Sequence, residues 1–321
     1  RRQTTAPKTA FFLEQHVFVS SGKGAFRDGS AKAPSLLGLE LDRESQWPAE
    51  IKSVVRGQGF FSPDEEATYL NIENFHVVRT VGSGELTLGR KTHTWSRADQ
   101  SWNLGLWQPR FAWSRLRQQQ NGLTGLFANF NLSKNISTTL YASPLYIPDL
   151  GPQTKVINGE LVAKNPWFRP PVSHVLLPIG SGQHKLYYDL HLPKTSEVVL
   201  QGSAAGQVRW EYRGRFCQTS YAYRPINQLA QSVEFSLDSA LPGAPPRVDI
   251  YPYIQHHHIL SGECGVQVQK SWYSWANVTH DRPQATDIPD HRIITAYDHR
   301  LYHQPDKSTV VTVEGGYEFK G

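Results

Sequence analysis

Apolar and polar residues alternate along most of this chain, and helical spacing is scarce. Across 207–216, Gln207, Arg209, Glu211, Arg213 and Arg215 take one face, while Val208, Trp210, Tyr212, Gly214 and Phe216 take the other. That two-residue period predicts a strand with one wet side and one apolar side. The same pattern returns at 37–42, 51–58, 233–238 and 311–315, the last running on to Tyr317 and Phe319. Weaker alternation at 11–19, 69–79, 84–91, 123–132, 136–146, 185–192, 197–203, 218–224, 247–255, 264–272 and 292–301 brings the total to about sixteen strands.

Short turn-like segments separate many of them: 81–84, 133–135, 193–196, 204–206 and 261–263. Gly, Asn, Pro and Ser at such joints favour hairpins, so successive strands should be antiparallel neighbours in an up-and-down meander. Two stretches break the rhythm. Residues 92–122 carry Trp95, Trp102, Trp107 and Trp113, and residues 147–183 carry Trp167, Phe168 and Arg169 among prolines. Loops of this length in a compact chain usually have a task. Either is a candidate plug or lid, with 147–183 the first choice and 92–122 the second. No linker divides the chain, which reads as a single domain over 1–321.

The 321 residues contain no apolar run of about 18 or more, the length a spanning helix requires. Spanning by strands stays open. A membrane barrel and a soluble sandwich share the one-sided alternation. Three features favour the barrel. The 207–216 segment matches the ~9–11 residues that cross a bilayer as a tilted strand. Mid-strand charges such as Lys52, Arg56, Arg209 and Glu211 suit a water-filled lumen. Trp47, Tyr69, Trp95, Tyr146, Tyr188, Tyr223, Trp272 and Tyr273 fall near strand ends, as interfacial girdles would.

With these patterns the chain resembles the porin-like outer-membrane β-barrels of Gram-negative bacteria. The likeness is one of pattern along nearly the whole length. Leu86-Thr87-Leu88-Gly89-Arg90-Lys91 is similar to a strand-to-loop element of many porins, and Val313, Gly315, Tyr317 and Phe319 resemble their closing strand, although Lys320-Gly321 follow. The resemblance implies an all-β, antiparallel transmembrane barrel in the bacterial outer membrane, inserted after removal of a signal peptide. Its partners would be membrane lipid, small solutes or ions, and further copies or other envelope proteins. The start at Arg1-Arg2-Gln3 fits a mature end left by a leader or a start inside a longer chain.

The polar strand faces supply the expected pore lining: Lys52, Arg56, Arg209, Glu211, Arg213 and Arg215, with Arg169 from the second long loop. If they share a lumen, the basic members would draw anions. Glu40, Asp42, Glu211 and Glu234 oppose them, and the net charge is only +5. Cys217 follows the face of Arg213 and Arg215, and Cys264 that of Val266 and Val268, so free thiols are expected unless a bulge or register change brings them together. His256 and His258 share a strand face, but no carboxylate or Cys nearby in sequence completes a metal site, and none is expected.

No catalytic motif with a fixed spacing is present, and the bases are interspersed with acids, which disfavours nucleic acid. The reading is therefore an outer-membrane porin or channel for small hydrophilic solutes, anions among them, without cofactor or chemistry. Two alternatives stand: a plugged structural barrel serving as a partner platform, and a secreted soluble β-sandwich that binds or cleaves carbohydrate.

Overall fold

The structure, a computed structural model, describes residues 8–15, 35–62, 67–102, 104–112, 118–151, 154–163, 171, 173–176, 183–236, 246–268, 272–285, 301–302 and 306–317. Twelve strands form one antiparallel sheet in strict sequence order. They are β1 (Lys8–Gln15), β2 (Ser35–Trp47), β3 (Ile51–Ser62), β4 (Ala67–Val81), β5 (Gly84–Lys91) and β6 (Leu123–Ser133). Then follow β7 (Ile136–Ser143), β8 (Ser203–Tyr212), β9 (Arg215–Pro225), β10 (His256–Val268), β11 (Trp272–Pro283) and β12 (Ser308–Tyr317). Among the described residues, β1 pairs with β2 alone and β12 with β11 alone.

The connections sort by end. Turns of two or three residues join β2 to β3, β4 to β5, β6 to β7 and β8 to β9 at one rim of the sheet, where three residues of sequence separate β10 from β11. The long segments 92–122, 144–202 and 226–255 all leave from the other. The tight turns fit their residues: Arg213 and Gly214 both take positive φ, 46° and 76°, as a two-residue hairpin matched to strand twist requires.

The two faces of the sheet differ in kind. Leu39, Leu70, Phe75, Leu88, Val208, Leu260 and Val313 stand on one side, all exposed, Leu70 and Val313 at 70%. On the other, Asn71, Thr87, Gln218, Ser220 and Asn277 are at most 5% exposed. We call these the outer and inner faces. The usual order of a water-soluble sheet is thus reversed. A bulge keeps β4 true to the pattern: Arg56 pairs with Asn74 but Gly57 with Ile72, which leaves Glu73 as the extra residue. Exposed apolar residues accordingly switch from Leu70 and Ile72 to Phe75 and Val77, since one inserted residue exchanges the faces.

Several expectations change. The alternating run 207–216 is not one strand, because the β8–β9 turn falls at Arg213-Gly214. Tyr212 pairs with Arg215 across that turn, so residues of opposite parity share a face. Phe216 is therefore inward and 5% exposed, while Val208 and Trp210 are outward. Cys217 and Cys264 are register partners joined by a disulfide, not free thiols. The segments 204–206 and 261–263, expected as turns, lie inside β8 and β10, and 193–196 leads into the short helix Thr195–Val199.

Segments 185–192, 233–238 and 247–255 are not part of the main meander. Tyr187–Leu190, Arg247–Tyr253, Ala230–Ser236 and Leu301–Tyr302 form a separate four-stranded sheet. Its first pair is parallel. One face carries a small dry core in which Leu186, Tyr188, Val248 and Ile250 pack with Val233 and Phe235. The aromatic girdle is also thinner than expected. Trp47, Trp210, Tyr212 and Trp272 are exposed near the short-turn rim, and Tyr221 toward the other. Trp95, Tyr146 and Tyr188 are buried instead, and Tyr69 and Tyr273 pack against inward clusters. Trp113, Trp167, Phe168 and Phe319 lie outside the described residues.

Candidate functional site

The inner face is covered by the segment that leaves β5 at Lys91 and returns at Leu123. Its first anchor is the Trp95 carbonyl, which accepts from Gln207 Nε2 at 3.2 Å, Gln218 Nε2 at 3.3 Å and Ser220 Oγ at 2.7 Å. A six-residue helix, Arg97–Trp102, follows. The Arg97 amide donates to Glu263 Oε2 at 2.9 Å, its Nε lies 3.5 Å from Oε1, and its guanidinium sits 4.0 Å above the Phe216 ring. Asn277 Nδ2 also donates to Glu263, and to Ser96 and Ser261. Glu263 has no side-chain exposure; a carboxylate buried so deeply is tolerable only with such partners.

The second anchor lies nearer the long-connection rim. Arg224, 2% exposed, donates to the Trp107 carbonyl and to Asn227, and Asn227 Nδ2 donates to the carbonyls of Leu106 and Gln108 at 3.2 and 3.0 Å. The Trp95 and Trp107 rings stack 5.8 Å apart and bury against Leu123, Phe127, Tyr141, Ala205, Ala222 and Ile259. Asp99 accepts from the Leu106 amide at 2.8 Å, and burial pushes its carboxyl above the usual carboxylate range. His93 contacts Gln207 Oε1 at 3.1 Å; burial lowers its imidazole to about 4. The far side of the segment reaches β3 and β4, where Gln119 bonds Gln58 and Asn71, and Phe111 packs on Phe60.

Toward the short-turn rim the inner face is charged and partly open. Lys52 pairs with Glu44 at 2.6 Å. Arg56 pairs with Asp42 at 2.9 Å and lies 3.6 Å from Glu73. Arg209 pairs with Glu211 at 2.9 Å and donates to Gln218. These four predicted residues, Lys52, Arg56, Arg209 and Glu211, keep the polar side, each in an ion pair. Arg213 does not: it occupies the β8–β9 turn, stacked on Tyr212. Arg215 does not either, since it faces Tyr212 and Val266 on the outer side. Arg169 lies outside the described residues.

Sequence reasoning missed Arg97, Arg224, Glu263 and Asn277. Glu263 and Asn277 keep the polar parity of their strands with Ser261 and Thr279, a signal that reading 261–263 as a turn concealed. The three consecutive histidines split as strand geometry demands. His257 points inward to Asp281 at 2.8 Å, while His256 and His258 flank Tyr223 on the outer face. Ligand atoms of Asp189, His191 and Asp249, on the separate sheet, lie within 4.8 Å of one another. Arg247 already engages both carboxylates, at 2.6 and 3.1 Å.

No family model matches the chain. No curated protein matches it either. Similar solved structures include OmpT, an outer membrane protein of Vibrio cholerae in its trimer form, at 7% identity and TM-score 0.33, covering 99% of this chain and 85% of that one. Another is Salmonella typhi OmpF in complex with daunomycin, at 8% identity and TM-score 0.32, covering 87% and 78%. A third, titled for the asymmetric conductivity of engineered proteins, has 8% identity and TM-score 0.27, covering 87% and 94%. The solved structures that the chain resembles thus include outer-membrane β-barrel proteins.

Proposed function

We propose that the chain is a porin-like barrel of the bacterial outer membrane, passing small hydrophilic solutes through a lumen that residues 92–122 narrow. The observation that carries this reading is the reversed polarity of the sheet. Side chains such as Leu39, Leu70, Leu88, Val208, Leu260 and Val313 stand outside, and amides, hydroxyls and ion pairs stand inside. In water so much contiguous apolar surface would drive aggregation. Against hydrocarbon each such leucine or valine is worth ~1.5–3 kcal/mol instead. The strands are long enough to cross, β8 having 10 residues and β10 13. Short turns at one rim and long connections at the other match the periplasmic and outward ends of such barrels.

Within this reading the inserted segment takes the outward half of the lumen, and the ion pairs Lys52–Glu44, Arg56–Asp42 and Arg209–Glu211 line the periplasmic half. Paired charges of both signs favour weak ion selectivity over the anion preference that the basic residues alone suggested. Membrane lipid is the partner of the outer face, and further copies of the chain are compatible with it.

A second reading, the closed barrel serving as a partner platform, draws on the reach of residues 92–122 from Gln58 on β3 to Asn277 on β11. The soluble sandwich draws no such support. Among the described residues, the separate sheet packs its apolar side on its own cluster and leaves Leu39 and Val208 exposed.

Conductance in planar bilayers tests the proposal. Detergent-purified protein should show heat-modifiable migration and discrete, ohmic steps. Heat-modifiable protein without current would favour the closed barrel. Full solubility without detergent would overturn the membrane reading itself.

A further inference from the structure

We infer that His258, His280 and Arg282 form a patch on the outer face that binds the phosphate of an anionic lipid. The inference rests on the membrane reading of that face and names the lipid class it selects. The three residues lie where β10 and β11 approach the long-connection rim. His258 and Arg282 are register partners. His280 stands two residues from Arg282 on the same face, opposite Leu260 on β10 and Thr309 on β12. Directly opposed side chains start about 5 Å apart and diagonal ones about 7–8 Å, so a single phosphate group can span all three. The apolar belt begins at the same level. Leu260 is 49% exposed and, one step further from the rim, Val278 and Val311 are 49% and 67% exposed. A lipid whose chains lie along these residues therefore brings its headgroup to the patch.

Neighbouring hydroxyls and rings orient the donors. Tyr221 OH meets His258 Nδ1 at 2.8 Å, and Thr309 Oγ1 meets His280 Nδ1 at 2.9 Å. A hydroxyl that donates to Nδ1 leaves the ring proton on Nε2, so each imidazole offers a donor on its far side. The His258 ring leans on Tyr223 with centroids 4.9 Å apart, and Tyr223 stacks on His256 at 5.1 Å. Arg282, exposed, adds the permanent charge. No acid of β9 to β12 offsets it on this face. Those strands contain Glu263, Asp281 and Glu314 alone, and all three stand on the inner face, engaged by Arg97, His257 and Tyr273. Nor is the patch simply what every sector of the rim carries, since on β2 and β3 the exposed pair Leu37 and Phe61 occupies it. A guanidinium beside two imidazole N–H groups at the edge of hydrocarbon suits an anionic phosphate. A zwitterionic headgroup would set its ammonium against Arg282.

The test uses purified full-length protein in detergent micelles, with phosphatidylglycerol and phosphatidylcholine of identical acyl chains as probes. Native mass spectrometry counts the lipid retained. Phosphatidylglycerol is expected to stay bound where phosphatidylcholine is stripped. Arg282→Gln should weaken phosphatidylglycerol retention about fivefold. Adding His258→Phe, which keeps a ring against Tyr223 but has no N–H, should weaken it further and leave phosphatidylcholine unaffected. Heat-modifiable migration checks that each variant is folded; if Arg282→Gln is not, His258→Phe and His280→Leu decide. Excess inorganic phosphate should leave the lipid in place, since it has no chains to lie on Leu260 and Val311, and displacement by phosphate alone would overturn the lipid as occupant. Equal retention of the two lipids by the native chain, or of phosphatidylglycerol by native and variant chains, would overturn the inference and leave the membrane reading standing. A chain soluble without detergent would overturn both.

Discussion

Cys217 and Cys264 face each other across β9 and β10, disulfide-bonded, with Cα atoms 4.1 Å apart and a sequence separation of 47. Both lie on the outer face, with Trp210 opposite Cys217 and Ala276 opposite Cys264. The bond fastens the two strands that supply Ser220, Arg224 and Glu263 to the inserted segment. Closing a loop of this size contributes about 3–4 kcal/mol by restricting the unfolded chain. Replacing both cysteines by serine should lower the urea midpoint by a corresponding amount without altering the native strand content, as read by circular dichroism. An unchanged midpoint in oxidised protein would mean that the bond adds nothing to stability.

How the cysteines meet explains what the sequence could and could not disclose. Parity along 207–216 was sound for Val208 through Tyr212 and then reversed, because a two-residue turn pairs Tyr212 with Arg215 and exchanges odd for even. Alternation carries no mark where such a turn begins unless the turn residues announce it, and Arg213-Gly214 continued the pattern of charged and small. Conversely, Ala204-Ala205-Gly206 and Ser261-Gly262-Glu263 look like turns but run through ladders, since small residues are tolerated where a neighbouring backbone supplies the bonds. Most strands of the meander and the polar side of Lys52, Arg56, Arg209 and Glu211 are legible because each depends on a local period, whereas 197–203, expected as a strand, runs from the helix Thr195–Val199 to the first residue of β8. Arg97 and Arg224 were not legible. Their roles arise where a distant segment meets the wall, and no local spacing encodes that meeting.

The Arg97–Glu263 pair is unequal in depth, and that inequality predicts unequal mutants. Arg97 is 35% exposed at its side chain and Glu263 not at all. Removing Arg97 leaves a carboxylate in a dry wall, held only by amide donors, so Arg97→Ala should destabilise the fold by about 2–4 kcal/mol. Glu263→Gln keeps most of the hydrogen bonds and releases a guanidinium that can turn to water, so it should cost about 1 kcal/mol. Chemical denaturation of the two variants in the same detergent measures the difference. A larger loss from Glu263→Gln would contradict the ion-pair assignment.

In the proposed channel, the pairing of charges on the inner face has a consequence for transport. With Asp42 on Arg56 and Glu211 on Arg209, neither guanidinium presents a free field. Reversal potentials in a tenfold KCl gradient should therefore lie near zero for the native protein. The double variant Asp42→Asn with Glu211→Gln removes the acid paired with Arg209 and the nearer of the two acids beside Arg56, Glu73 remaining at 3.6 Å, and should shift the reversal potential of the proposed channel to the anion-selective side. Single-channel conductance should change less than twofold, since neither substitution alters side-chain volume. If selectivity stays unmoved, those residues do not line the conducting path.

Acidification should loosen the inserted segment through His93. Its imidazole is buried beside Gln207 and titrates at about 4 in the docked state, against about 6.5 once the segment is free. Between these values the undocked chain binds the proton that the docked chain refuses, so docking weakens as pH falls from 6.5 toward 4 and levels off below. The full effect amounts to at most about 3 kcal/mol. Asp99 acts in the opposite sense: its raised carboxyl gains a proton more readily when docked, which strengthens docking as pH falls through its own range. The two therefore oppose each other in acid, and the His93 limb is isolated by substitution. Protease cutting within 92–122, followed from pH 7.5 to 5, should quicken in the native protein. His93→Asn should flatten that dependence while leaving the rate at pH 7.5 within about threefold, because a neutral amide can still meet Gln207. An identical pH profile in the variant would remove His93 from the account and leave the segment held by its other anchors, Glu263 and Arg224 among them.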